Sequence, residues 1–337
     1  MKRVSIVIPV YNEAEGLPAL RARLTKVMDG LTDYLFEVLL VDDGSRDVSA
    51  EVALRMRRED GRFHLLRLSR NFGKEAAVLA GLDYADGDAV VLMDADLQDP
   101  PELIERMLAL WEEGYDDIYA RRRSREGESG LKKFTSRCYY RTLARLSRTE
   151  IQPDTGDFRL FDRRCVLALR RLREQGRCGK SLFSWIGYRK KEILFDRDPR
   201  CAGETKWNYA RLFELALDGI IALSTAPLRW IGAASLATGA AAVVALTTAF
   251  AAAAPLWLPV LLFLAALQLG AIWLVAEYLG RALADGRGRP CYLVDSYDGV
   301  REENEVGKTG ETGVLSIVAR CGGGTAARGG VESKSVV

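Results

Sequence analysis

Ala89-Val90-Val91-Leu92-Met93-Asp94-Ala95-Asp96-Leu97-Gln98-Asp99-Pro100-Pro101 is the stretch whose reading decides the fold. Its first five residues are apolar and read as a buried strand. Two carboxylates follow at once, Gln98 and Asp99 extend the polar edge, and Pro100-Pro101 ends it before a new helix near Glu102. The same grammar repeats upstream. Val4–Val10 is a buried strand reaching Pro9, and Leu17, Leu20, Leu24 and Val27 recur at helical spacing. Phe36–Val41 is a second strand, closed by the polar turn Asp42-Asp43-Gly44-Ser45, and a helix over Ser49–Asp60 follows. Phe63–Leu68 is a third strand and Lys74–Tyr84 a third helix. Strands alternating with helices predict an α/β fold, a mostly parallel sheet covered by helices on both faces. Ligands of such sheets sit beyond the carboxyl ends of the strands. The polar clusters Tyr11-Asn12-Glu13, Asp42-Asp43, Ser69-Arg70-Asn71 and Asp94-Ala95-Asp96 all fall at those ends.

The 337 residues suit one large domain plus an appendage, and 48% hydrophobic with 28% charged residues excludes a wholly disordered chain. A formal charge of +2 argues against a basic nucleic-acid binder, so no nucleic-acid partner is expected. Six cysteines without a CxxC pair exclude zinc ribbons, thioredoxin-like motifs and a disulfide scaffold. The single histidine, His64, lies in an apolar run and reads as structural. Lys2-Arg3 precedes a short apolar run with no small-residue cleavage site, so no signal peptide is expected there.

Downstream, residues 121–148 hold ten Lys/Arg and two acids, which predicts a basic helical or loop segment beside the sheet. An amphipathic juxtamembrane stretch, 207–229, follows a large domain of residues 1–206. Residues 230–254 and 255–276 carry no charge, and each is long enough to cross a bilayer as a helix. Pro255-Leu256-Trp257-Leu258-Pro259 joins them tightly, which predicts a two-helix transmembrane hairpin over 230–280. Arg229 before it and Arg281, Arg287 and Arg289 after it place both ends, and the large domain, on the cytoplasmic side of a cell membrane. Residues 281–294 return to the domain, and 295–337, with nine glycines, read as a flexible tail. The Ala/Gly-rich first span is of the kind that packs against a copy of itself, pointing to a homo-oligomer.

Two carboxylates at a strand end, Asp94 and Asp96, can hold a hard divalent cation against a diphosphate. Carboxylates after the first two strands suit hydrogen bonding to a base and ribose, with Gly44 permitting a tight turn. Ser5–Glu13, Val41–Ser45, Arg70–Glu75, Met93–Pro101, Asp154–Leu160 and Arg200–Trp207 together resemble the inverting family 2 glycosyltransferases. More closely, they are similar to the polyprenyl-phosphate glycosyltransferases related to dolichyl-phosphate mannose synthase, from about residue 3 to residue 294. The resemblance implies a nucleotide-diphospho-sugar transferase fold, a sugar nucleotide donor, Mg²⁺ or Mn²⁺, and a membrane polyprenyl phosphate acceptor. It implies a metal site at Asp94, Asp96 and Gln98. Donor contacts fall on Pro9, Tyr11, Glu13, Asp42, Asp94, Arg200 and Lys206. Asp157 takes the catalytic position, and Arg121 and Arg137 hold the acceptor phosphate.

A processive polysaccharide synthase shares such a sheet and such a metal motif. Its Q-x-x-R-W motif has alanine in place of glutamine at Ala226-Pro227-Leu228-Arg229-Trp230, and two spans offer little wall for a polymer channel. A catalytically dead membrane scaffold would leave Asp94, Asp96 and Asp157 idle. UDP-glucose, UDP-N-acetylhexosamine and GDP-mannose all suit the motifs. The R-x-x-G-E-T-K-W form and the two spans lean toward the bacterial glucosyl-type subgroup and UDP-glucose.

Overall fold

A computed structural model of the chain describes residues 1–123, 155–174, 179–195 and 257–299, with scattered positions between 228 and 244. Its centre is an eight-stranded sheet. The strands are β1 (Lys2–Val10), β2 (Tyr34–Asp42), β3 (Phe63–Leu68), β4 (Ala89–Leu92), β5 (Asp117–Arg122), β6 (Thr155–Asp162), β7 (Lys190–Phe195) and β8 (Val294–Tyr297). The described helices are α1 (Leu17–Gly30), α2 (Ser49–Glu59), α3 (Lys74–Tyr84), α4 (Leu103–Glu112), α5 (Arg163–Arg171), α6 (Gly179–Trp185) and α7 (Trp257–Gly286). Spatial order is β7-β5-β6-β4-β1-β2-β3-β8. Pairing is parallel except where β6 runs against β4 and β5, and β8 against β3. The expected mostly parallel sheet with helices on both faces is present.

The period of two explains the double cover. Val4, Ile6, Ile8, Val38, Leu40, Ala89 and Val91 face one apolar layer with α1, α2 and α4. Val7, Leu39, Val41, Val90 and Leu92 face the other, with α3, α5 and α6. Consecutive residues thus point to opposite faces and are all buried, which is why the strands read as unbroken apolar runs.

Three strands and an edge were not read from the sequence. The basic segment expected from Arg121 begins inside the sheet, since Arg121 and Arg122 end β5 and Arg123 N donates to Phe195 O of β7 at 2.9 Å; residues 124–148 lie outside the described residues. β6 carries Gly156–Leu160, and its fully buried Arg159 sits 3.2 Å from Asp117 of β5, beneath the Phe183 ring. Burying this charge is tolerable because the carboxylate and the aromatic faces replace water.

Of the tail expected over 295–337, the first residues are part of the sheet, and 300–337 lie outside the described residues. Asp295–Tyr297 belong to β8 on the β3 edge, and Asp298 accepts a hydrogen bond from Leu65 N at 2.7 Å and pairs with Arg57 at 3.2 Å. Just before it, Ser69 N donates to Leu293 O at 2.9 Å, and Tyr292 and Arg173 both bond Asp83. His64, half-buried on β3, contacts Arg57 and the Tyr297 ring, a structural setting as expected.

α7 is a 30-residue helix, about 45 Å long at 1.5 Å per residue. Phe263–Gly286 within it is long and apolar enough to cross a membrane, and among the described residues its most apolar stretch is not buried. Of the join expected over Pro255–Pro259, Trp257, Leu258 and Pro259 belong to this helix, and Pro255 and Leu256 lie outside the described residues. The companion run 230–254 lies outside the described residues, apart from scattered helical positions.

Candidate active site

β4, β1 and β2 are neighbours, so the segments that follow them meet at one edge of the sheet. There the backbone is locked crosswise. Asp43 N donates to Val10 O, and Met93 N donates to Val7 O. Asn12 turns the chain at φ 55°, its N–H donating to Ser45 Oγ while its side chain accepts from Arg46 N. Glu13 N donates to Ser49 Oγ at 2.9 Å. These bonds fix Pro9, Tyr11 and Glu13 beside Asp42. Pro9 and Glu13 are half-buried and Tyr11 is exposed. Asp42 is buried. Its Oδ1 accepts from Ser45 N, while Oδ2 makes no hydrogen bond among the described residues and lies 3.4 Å from Arg67 Nε.

The second carboxylate of the pair does a different job. Asp43 accepts from Phe72 N at 2.7 Å and Gly73 N at 2.9 Å, tying the turn after β2 to the loop after β3. Burial pushes its carboxyl above the usual range, against the pull of those two N–H donors. Gly44 makes the approach feasible: with φ 66°, a Cβ there would stand 2.6 Å from the Arg70 carbonyl carbon. Arg70 lies over the Phe72 ring at 4.0 Å, stiffening the same loop.

That loop delivers Lys74, the first residue of α3. Its ammonium is 2.7 Å from Asp94 Oδ1 and 2.5 Å from Asp157 Oδ2. Asp94 follows β4, and Asp157 is the third residue of β6. β6 runs against β4, so its first residues reach the same edge as β4's end. Burial works against the lysine's charge, but the two carboxylates outweigh it and hold its proton more tightly than usual. The sequence reading quoted Lys74 without a role. A signal was present, since a cation at the positive end of a helix calls for an anionic partner.

Asp96 Oδ1 accepts from Gln98 N at 3.2 Å across a tight turn in which Leu97 takes φ 58°. No group of three or more His, Cys, Asp or Glu among the described residues could hold a metal alone. Two half-exposed carboxylates and an amide oxygen still suit Mg²⁺ or Mn²⁺. Such ions take oxygen donors, often only one or two carboxylates, with substrate phosphates completing the shell.

Arg121 ends β5, which runs parallel to β4 with β6 between them, so it faces the same edge of the sheet. It pairs with Glu192 of β7 at 2.9 Å, both side chains 41% exposed. Arg137, Arg200 and Lys206 lie outside the described residues.

Residues 5–169 match the family model described as glycosyl transferase family 2. The uncharacterized glycosyltransferase sll0501 of Synechocystis is 44% identical over 88% of this chain and 96% of its own. The prophage bactoprenol glucosyl transferase homolog of Escherichia coli is 35% identical over 87% and 98%. The bactoprenol glucosyl transferase of Shigella phage SfX is 34% identical over 87% and 99%. Likeness that spans nearly the whole of each relative settles the assignment that the strand-end carboxylates had pointed to: the chain is a glycosyltransferase and belongs to family 2.

Proposed function

We propose that this enzyme transfers a single sugar, glucose from UDP-glucose, to a membrane polyprenyl phosphate, with inversion at the anomeric carbon. The observation that carries the reading is the convergence of Asp94 and Asp157, from two different strands, on one sheet edge beside the Asp42 pocket. Relatives named bactoprenol glucosyl transferase support both the sugar and the lipid acceptor.

Pro9, Tyr11 and Glu13 form one wall for the nucleoside, and Asp42 offers Oδ2 to a ribose hydroxyl or a base N–H. Arg200 and Lys206 grip phosphate oxygens. Asp94, Asp96 and Gln98 hold Mg²⁺ or Mn²⁺, which, when bound, supplies Lewis-acid stabilisation of the departing diphosphate. An acceptor phosphate oxygen bonds to the anomeric carbon. The bond from that carbon to the diphosphate oxygen breaks, and its electron pair leaves with the nucleoside diphosphate. The acceptor phosphate is ionised at neutral pH, so no proton must be removed from it. Asp157 orients the acceptor and balances charge, and Arg121 and Arg137 hold the lipid phosphate. The lipid reaches them from the membrane crossed by α7 and the 230–254 run as a hairpin, with the catalytic domain on the cytoplasmic side.

The full chain in membranes supplied with undecaprenyl phosphate tests this. Radiolabelled UDP-glucose, UDP-N-acetylglucosamine and GDP-mannose are offered separately, and the lipid extract is analysed. The reading expects a lipid-linked monosaccharide from UDP-glucose. Label in polymer, or in no lipid with any donor, overturns it; lipid label from another donor overturns the sugar assignment alone.

A further inference from the structure

We infer that Lys74 occupies the cation side of Asp94 until a donor diphosphate draws it away, so that metal binding depends on nucleotide binding. This rests on the reading of Asp94 as a metal ligand. Both carboxylate oxygens of Asp94 lie within hydrogen-bond reach of the ammonium, Oδ1 at 2.7 Å and Oδ2 at 2.9 Å. The same nitrogen reaches Asp157 Oδ2 at 2.5 Å. A divalent ion on Asp94 would therefore meet a positive charge about one hydrogen-bond length from its ligand oxygens. Two cations cannot share one carboxylate at that distance without strong repulsion.

Lys74 is also able to leave. Its side chain is 45% exposed, and it stands on a flexible four-carbon stem at the first residue of α3. The incoming diphosphate brings the opposite charge and competes for the ammonium. Moving Lys74 from Asp94 to a phosphate oxygen uncovers the carboxylate and leaves the lysine as a counter-charge to the leaving group. Loop geometry limits where it can go. Asp43 clamps Phe72 and Gly73 directly before it, so the backbone stays fixed and only the side chain swings. Metal and nucleotide thereby gain a coupling through one side chain, and such coupling is reciprocal.

The test measures binding, not turnover. Full-length protein in detergent is titrated with Mn²⁺, free Mn²⁺ being read by electron paramagnetic resonance, with and without UDP. Lys74→Gln should bind Mn²⁺ alone about tenfold tighter than the unaltered chain, the effect of removing one charge-assisted contact discounted for its partial exposure. Its gain in Mn²⁺ affinity on adding UDP should shrink by a similar factor. Lys74→Arg keeps the charge and should keep Mn²⁺ binding close to that of the unaltered chain. Lys74→Gln binding Mn²⁺ alone no tighter than the unaltered chain overturns the inference. So does an unaltered chain whose Mn²⁺ affinity is indifferent to UDP, a result that needs no variant. Asp94→Asn separates the two levels: undiminished Mn²⁺ binding there fails the metal-site reading itself. Impaired binding in Asp94→Asn, with none of the expected change in Lys74→Gln, fails only the role of Lys74.

Discussion

Gly44→Ala isolates the contact that ties the nucleoside side of the site to the lysine side. Two costs add. At φ 66° a residue with a Cβ loses about 1–2 kcal/mol. The new Cβ also stands 2.6 Å from the Arg70 carbonyl carbon and 2.7 Å from Asn71 N, both backbone atoms that cannot rotate aside. Relief to an ordinary contact parts the two loops by about 0.8 Å. That carries the Asp43 bonds to Phe72 N and Gly73 N, now 2.7 and 2.9 Å, to the limit of a hydrogen bond. Losing charge-assisted bonds of this kind costs about 1.5–3 kcal/mol, so the expected total is about 2.5–5 kcal/mol. Gly73→Ala is the discriminating control. Its φ of 98° with ψ 154° lies in a region essentially reserved for glycine, more hostile to a side chain than that of Gly44, but nothing lies within 4 Å of its Cβ, so it should lose only the conformational part, about 1–3 kcal/mol. Gly61, with ordinary φ and open space, should tolerate alanine or gain slightly. Denaturant melts of the three variants in detergent rank them. If Gly44→Ala costs no more than Gly73→Ala, the two loops are not held by this close approach and the reasoning fails.

Asp94→Asn and Asp96→Asn should each abolish sugar transfer while leaving a folded, membrane-bound protein; full activity of both in chelator-treated membranes would remove the metal role. Arg121→Ala and Arg137→Ala should lower catalytic efficiency for the lipid about ten- to hundredfold and leave donor binding unchanged. Equal, salt-sensitive losses in those two and in Lys132→Ala would reduce the segment to general attraction for anionic lipid heads. Cysteine labelling from outside the cell should reach a probe at Leu258 and miss one at Arg287, and the reverse pattern would invert the topology. Arg159→Met should destabilise the domain by about 3–5 kcal/mol, because it strands the fully buried Asp117 charge, and an unchanged melt would show that Lys190, 3.8 Å away, suffices.

What the sequence disclosed followed period. β1 to β4 and α1 to α3 are long apolar runs and regular helices; the boundaries of the strands and of α2 and α3 fall within a residue or two of the sequence reading, and α1 contains the spaced residues Leu17 to Val27. The strand-end carboxylates were legible because position alone gives them meaning. The missed parts break those patterns. Asp117-Ile118-Tyr119-Ala120-Arg121-Arg122 is half charged, yet β5 is an inner strand with Asp117 fully buried. Its charges are matched across the sheet by Arg159 and Glu192, partners far away in sequence. β8, Val-Asp-Ser-Tyr, has no strand pattern of its own; pairing with β3 and the Tyr297 contact with Tyr84 make it one. Lys74 and Asp43 escaped because their roles lie in distances between loops, which spacing along the chain does not express.

β8 also sets the order in which the protein can be completed. The β3 edge is closed by residues 294–297, made only after the 30-residue apolar helix α7. Until then β3 presents an unpaired row of backbone donors and acceptors, a template for foreign strands. A chain cut before α7 would keep every strand-end carboxylate yet carry this open seam, and would be expected to self-associate. Synthesis of the catalytic sheet thus ends downstream of the apolar helix, so the edge is sealed by the last of its strands to be made.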